Sequence, residues 1–85
     1  MKEFSYVIQD PMGLHARPAG LLAKAAAGYA CDVKLTVNGT TVDAKRIMGV
    51  MRLAAKQGME MTVSCEGADE EKAAAELQAF VAANL

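Results

Sequence analysis

Asn38-Gly39 lies directly between two strand-like runs, and no other pair of residues limits the fold of this chain so tightly. A two-residue hairpin turn needs positive φ at both central positions, which asparagine and glycine tolerate and most residues do not. Before the pair, Val33, Leu35 and Val37 alternate with Asp32, Lys34 and Thr36; after it, Thr40-Thr41-Val42 opens a partner strand. The same period of two recurs twice. Phe4, Tyr6 and Ile8 alternate with Glu3, Ser5 and Val7, and Met61, Val63 and Cys65 alternate with Glu60, Thr62, Ser64 and Glu66. A sheet of such strands has one apolar face, and that face needs a covering layer.

Three stretches of helical spacing can supply the layer. Asp10-Pro11-Met12-Gly13 is a turn cluster that ends the first strand, and from about Ala16 a helix presents Ala19, Leu22, Ala23 and Ala26, with Gly28 placed to stop it. Ala44 to Lys56 reads as a second helical stretch ended by Gly58; Gly49 within it costs roughly 1 kcal/mol relative to alanine. Asp69 is placed to cap a last helix, with Glu70 and Glu71 in its first turn and Ala73, Leu77, Phe80, Val81 and Leu85 as its buried stripe. The order β-α-β-β-α-β-α implies an α+β open-faced sandwich: a four-stranded antiparallel sheet with three helices on one face. Pattern alone leaves a ferredoxin-like strand arrangement open. Eighty-five residues suit one small domain with one core, spanning 1–85.

Composition narrows the function classes. A formal charge of -1 argues against bulk attraction to nucleic acid. No apolar run approaches the ~20 residues of a membrane span, and Met1-Lys2-Glu3-Phe4 runs straight into strand-like sequence. The expectation is a soluble, cytoplasmic chain. Cys31 and Cys65 are far apart without ligand-like spacing, and the chain has a single histidine, so neither a zinc site nor any other metal site is expected. Cys65, in phase with Met61 and Val63, reads as a small core residue.

That single histidine, His15, falls in Gly13-Leu14-His15-Ala16-Arg17-Pro18, at the turn between the first strand and the first helix. A helix start leaves backbone N–H groups without partners and adds partial positive charge, which together suit an anion. Pro18 fits the first turn, where a missing N–H costs nothing. Arg17 offers a planar fork matched to phosphate or carboxylate. Histidine can both titrate near neutrality and act as a nucleophile. Two readings stand at this point: a polar loop or capping residue beside a solvated arginine, or a nucleophile beside an anion clamp.

Lys45, Arg46, Arg52 and Lys56 form a basic group with no acid between Ala44 and Gln57. Ile47, Met48, Val50, Met51 and Leu53 lie among them, and all five cannot face inward on one short helix. Ile47 and Val50 are candidates for the core. An exposed apolar strip rimmed by bases suits an acidic partner with an apolar centre, and methionine repacks readily against several partners.

The histidine motif, Asn38-Gly39, and Lys45 followed by Ile47-Met48-Gly49-Val50-Met51 resemble the histidine-containing phosphocarrier (HPr) family of bacterial sugar phosphotransferase systems. The likeness runs along nearly the whole chain, through Glu66-Gly67-Ala68-Asp69-Glu70 at the entry to the last helix. It implies the open-faced fold and settles the strand arrangement. It also implies that His15 accepts phosphate on Nδ1 from enzyme I and passes it to IIA proteins of sugar permeases, with Arg17 assisting and Ala16 and Pro18 shaping the helix start. The chain is then a stoichiometric carrier and not an enzyme, and it needs no cofactor. A monomer is the default expectation, since so small a partner-facing patch need not be buried in a dimer. The resemblance further implies a partner surface of Gly20, Lys24, Ile47, Met48, Gly49, Met51 and Arg52. The alternative within the family is a regulatory binding module that uses the same surface without flux through the histidine. Two departures stand out: Arg46 occupies the position of the family's regulatory serine, and Met12 replaces the small polar residue common before the histidine loop.

Overall fold

The alternating runs pair into one antiparallel sheet in a computed structural model that describes residues 1–85. The strands are β1 (Lys2–Val7), β2 (Asp32–Val37), β3 (Thr40–Asp43) and β4 (Glu60–Glu66), in spatial order β1-β4-β2-β3. Three helices complete the chain: α1 (Ala16–Ala27), α2 (Ile47–Arg52) and α3 (Glu70–Asn84). The open-faced sandwich expected from the sequence is the observed fold.

Register follows from the hydrophobic pattern. Leu35 pairs with Val63 across β2 and β4, and Val33 with Cys65, so one face of the central strands is apolar. Val33, Leu35, Val37, Met61, Val63 and Cys65 are all buried there. From the other side come Ala19, Leu22 and Ala26 of α1, Val50 of α2, and Ala73, Leu77 and Val81 of α3. Burying each of the Val, Leu or Ile side chains contributes about 1.5–3 kcal/mol. The uncovered face is polar: the Ser5 and Thr62 hydroxyls lie 3.2 Å apart, and those of Thr36 and Thr41 2.9 Å apart. Between β2 and β3, Asn38 (φ 51°) and Gly39 (φ 80°) take the conformation their identities suggested.

Three local expectations are corrected. The second helix is confined to Ile47–Arg52 instead of running from Ala44 to Lys56. At its front Ala44, in the turn after β3, is tied to β2 by donating its N–H to Val33 O, and the Asp43 carboxylate accepts the Lys45 N–H. At its rear Ala54 turns left-handed (φ 50°) and stops the helix. The first strand ends at Val7, although Ile8 is buried just beyond it. Gly28 ends α1 as expected, with a right-handed φ of -74° and a tapering 3.2 Å bond to Ala25 O. Asp69 stands at the N-cap of α3 without capping it through its side chain. Its carboxylate reaches across to accept the N–H groups of Ala30 (2.9 Å) and Cys31 (2.8 Å), which ties α3 to the entry of β2.

Candidate functional site

His15 is the N-cap of α1, with extended backbone (φ -84°, ψ -176°) and no side-chain bond to the helix. Its carbonyl accepts the Ala19 N–H, the first bond of the helix. Pro18 has no N–H, and the N–H groups of Ala16 and Arg17 donate to no protein acceptor. A 12-residue helix thus points free donors and its positive end at the space beside the imidazole. The loop before it is fixed by Gly13, whose φ is +67° and whose missing Cβ leaves room for the backbone of Ala55 and Lys56. There Leu14 N–H donates to Ala55 O at 2.9 Å.

His15 is one-third exposed, and its Nε2 faces the Asp10 carboxylate at 3.5 Å. Asp10 is itself held: Oδ1 accepts the Met12 N–H (2.9 Å), and its backbone N–H donates to Leu85 O (2.8 Å). Arg17 is exposed and makes no ion pair within the protein. A depression of about 240 Å³ is lined by Asp10, His15, Arg17, Pro18, Leu21, Ala83 and Asn84. The motif's histidine and arginine are therefore together in one depression. Asp10, Leu21 and the end of α3 also line it, and nothing in the local motif pointed to them. Asp10 was legible as a turn residue; its meeting with His15 depends on how the turn closes.

The residues expected to form the second surface divide clearly. Met48 is 65% exposed, Ile47 42% and Met51 41%, whereas Val50 is fully buried and Leu53 half-buried. Val50 is thus the core member and Ile47 is not. Gly20 lets α1 and α2 approach, because a Cβ there would meet Ile47 Cδ1 at 3.3 Å. Gly49 is half-buried, and Lys24 lies exposed in the last turn of α1. Arg46, Met48, Gly49 and Arg52 line one shallow hollow on this side. Of the basic group, Lys45 is drawn inward, its Nζ donating to Tyr29 O at 2.8 Å, and Arg46 stays exposed with Nε 3.8 Å from Asp43.

Burial pushes the Cys31 thiol up to about 11, with the Asp69 carboxylate adding to the effect, and Cys65 is raised by the same cause. Both cysteines are free and buried. A 2.5 Å bond from the Tyr29 hydroxyl to Glu76 Oε1 raises the phenol to about 12.

Residues 2–83 match the family model for the phosphorylation site of the HPr component of the phosphotransferase system. The phosphocarrier protein HPr of Mycoplasma genitalium is 39% identical over 85 residues, covering 99% of this chain and 97% of the relative. The chain belongs to the HPr family of phosphocarrier proteins. An HPr structure from Thermoanaerobacter tengcongensis superposes with a TM-score of 0.93 at 37% identity, covering 99% of this chain and 94% of its own. Crh, the catabolite-repression protein of Bacillus subtilis and a dimer with a swapped domain, superposes with a TM-score of 0.78 at 39% identity, over 94% of this chain and 92% of its own. No helix of this HPr-family chain is long and apolar enough to cross a membrane.

Proposed function

We propose that His15 receives phosphate on Nδ1 from the phosphohistidine of enzyme I, itself charged by phosphoenolpyruvate, and passes it to a histidine of IIA proteins. The observation that carries the reading is the free-donor helix start beside His15, with Arg17 unpaired at the same depression. Because Nε2 faces the Asp10 carboxylate, Nδ1 is the ring nitrogen left to attack. The phosphoryl oxygens then meet the Ala16 and Arg17 N–H groups and the Arg17 guanidinium, which offset their charge during an in-line transfer. A phosphoramidate retains high transfer potential, so the step stays reversible, and the protein is consumed and regenerated as a carrier. Met48, Met51 and Ile47, rimmed by Arg46, Arg52 and Lys24, form the surface that both partners use. The carrier acts in the cytoplasm as a monomer, as one domain over residues 1–85; sedimentation at micromolar concentration checks the monomer against a dimer of the Crh kind.

The test is a relay of labelled phosphate from phosphoenolpyruvate through enzyme I to a IIA protein. Arg17→Ala removes one charge-assisted contact, about 1.5–3 kcal/mol, or roughly a ten- to hundredfold slower transfer by rapid quench. A relay that runs at the wild-type rate in Arg17→Ala leaves Arg17 a solvated residue.

A further inference from the structure

We infer that Asp10 is a positioning residue for His15: its carboxylate keeps a proton on Nε2 and thereby sets how readily the phosphorylated ring gives up its phosphate. This rests on the reading of His15 as the phosphoryl acceptor. Asp10 is the only anionic side chain lining the depression around the imidazole. Its Oδ2 lies 3.5 Å from Nε2, and its other oxygen is engaged by the Met12 N–H at 2.9 Å. The Asp10 backbone is pinned on both sides, by Leu85 O on its N–H and by the Gly13 N–H on its carbonyl, each at 2.8 Å. One carboxylate oxygen is therefore held by the Met12 N–H while the other faces the ring.

The other side chains lining the depression are not acidic. From α1 comes the Arg17 cation together with the free N–H groups of the helix start, all of which oppose positive charge on the imidazole. From α3 come Ala83 and Asn84, and the Asn84 amide is already donating to Phe80 O at 2.9 Å. Among the side chains lining the depression Asp10 is the one that favours a protonated Nε2, and the Leu85 carboxyl group, whose oxygen accepts the Asp10 N–H at 2.8 Å, stands behind it. A carboxylate on one ring nitrogen fixes the tautomer and leaves the other nitrogen its lone pair.

The Nδ1 lone pair attacks phosphorus, the new N–P bond forms, and the donor's N–P bond breaks with its electron pair staying on the donor nitrogen. No proton leaves the imidazole, so the ring acquires positive charge while Nε2 keeps its hydrogen. When the phosphate moves on, to water or to an acceptor nitrogen, the N–P electron pair returns to Nδ1 and a neutral imidazole departs. A ring that has lost the Nε2 proton departs as an imidazolate, a far poorer leaving group. Asp10, by offsetting the ring's charge, extends to higher pH the range over which the ring is the good leaving group.

The experiment charges the protein with the small donor phosphoramidate, so that no partner protein is involved, and follows loss of phosphate to water across pH. Hydrolysis falls as pH rises and the Nε2 proton is lost. In Asp10→Asn, whose amide oxygen still accepts the Met12 N–H, that fall begins at lower pH. On the falling limb the variant keeps its phosphate about two- to fivefold longer, the range for one partly exposed charge pair, while the acid plateau is unchanged. Asp10→Glu brings the limb back toward the wild-type position. A limb that does not move in Asp10→Asn, or a rate lowered by the same factor at every pH, overturns the inference. His15→Ala separates this from the parent reading: a variant that takes up phosphate like the wild type places the acceptor elsewhere, whatever Asp10 does.

Discussion

Gly13→Ala tests how the histidine loop is held. At φ +67° any Cβ residue strains the backbone by about 1–2 kcal/mol. The added methyl would also run into Ala55 O and lie 2.8 Å from Lys56 Cα, both backbone atoms that cannot swing aside. Overpacking of that kind costs about 1–3 kcal/mol. Any shift that relieves it stretches the 2.9 Å bond from Leu14 N–H to Ala55 O, a further loss of about 1 kcal/mol. The expected destabilisation is therefore about 3–6 kcal/mol, a large share of the roughly 0.05–0.15 kcal/mol per residue that holds a domain folded. Gly39→Ala is the matched control, because Gly39 also has positive φ (80°) but nothing within 4 Å of a Cβ. It carries only the backbone strain, about 1–2 kcal/mol. At about 4–8 °C per kcal/mol for a chain of this size, Gly13→Ala melts at least about 8 °C below Gly39→Ala by circular dichroism. Melting temperatures within about 3 °C of each other would show that the Gly13 loop gives way freely, and the argument that it is clamped against Ala55 and Lys56 would fail.

The division of α2 into core and surface is checked by a pair of variants. Met48→Asp, at a 65% exposed position, shifts stability by no more than about 0.5 kcal/mol while weakening binding to enzyme I or a IIA protein in titration calorimetry. Val50→Ala, at a fully buried one, costs about 1.5–3 kcal/mol in urea unfolding. Asp69 gives a pH dependence. The Ala30 N–H, followed by the Cys31 contacts, holds its carboxyl below the ordinary value of 3.8. A carboxyl with a depressed folded value contributes stability that is present above the ordinary value and is lost as pH falls through the folded one. Urea midpoints of the wild type thus drop below about pH 4, and Asp69→Asn lacks that part of the drop; parallel midpoint curves for the two proteins would remove Asp69 from the account.

Local chemistry was legible wherever it was also decisive. Asn38-Gly39 and the period-two runs specify turn, strands and buried faces, because those depend on neighbouring residues and on which side of a strand is apolar. The sequence predicts too long a second helix because Ala54, Ala55 and Lys56 are good helix formers. Their tertiary duties win instead: Ala55 O receives the Leu14 N–H, and Ala54 turns left-handed to allow it. Asp69 has the identity of an N-cap, yet its carboxylate serves two N–H groups nearly forty residues away in the chain. Asp10 and Asn84 reach the depression from opposite ends of the sequence, brought together when Leu85 O accepts the Gln9 and Asp10 N–H groups. No spacing rule sees such a contact. His15 and Arg17 were legible because one helix start holds both.

The most direct measurement is nitrogen–phosphorus NMR of the uniformly ¹⁵N-labelled protein after incubation with phosphoenolpyruvate and enzyme I. One phosphoryl group is expected, coupled to Nδ1 of His15, with the Nε2 hydrogen retained beside Asp10. Phosphate on Nε2, phosphate on a hydroxyl, or no phosphate at all would contradict this expectation.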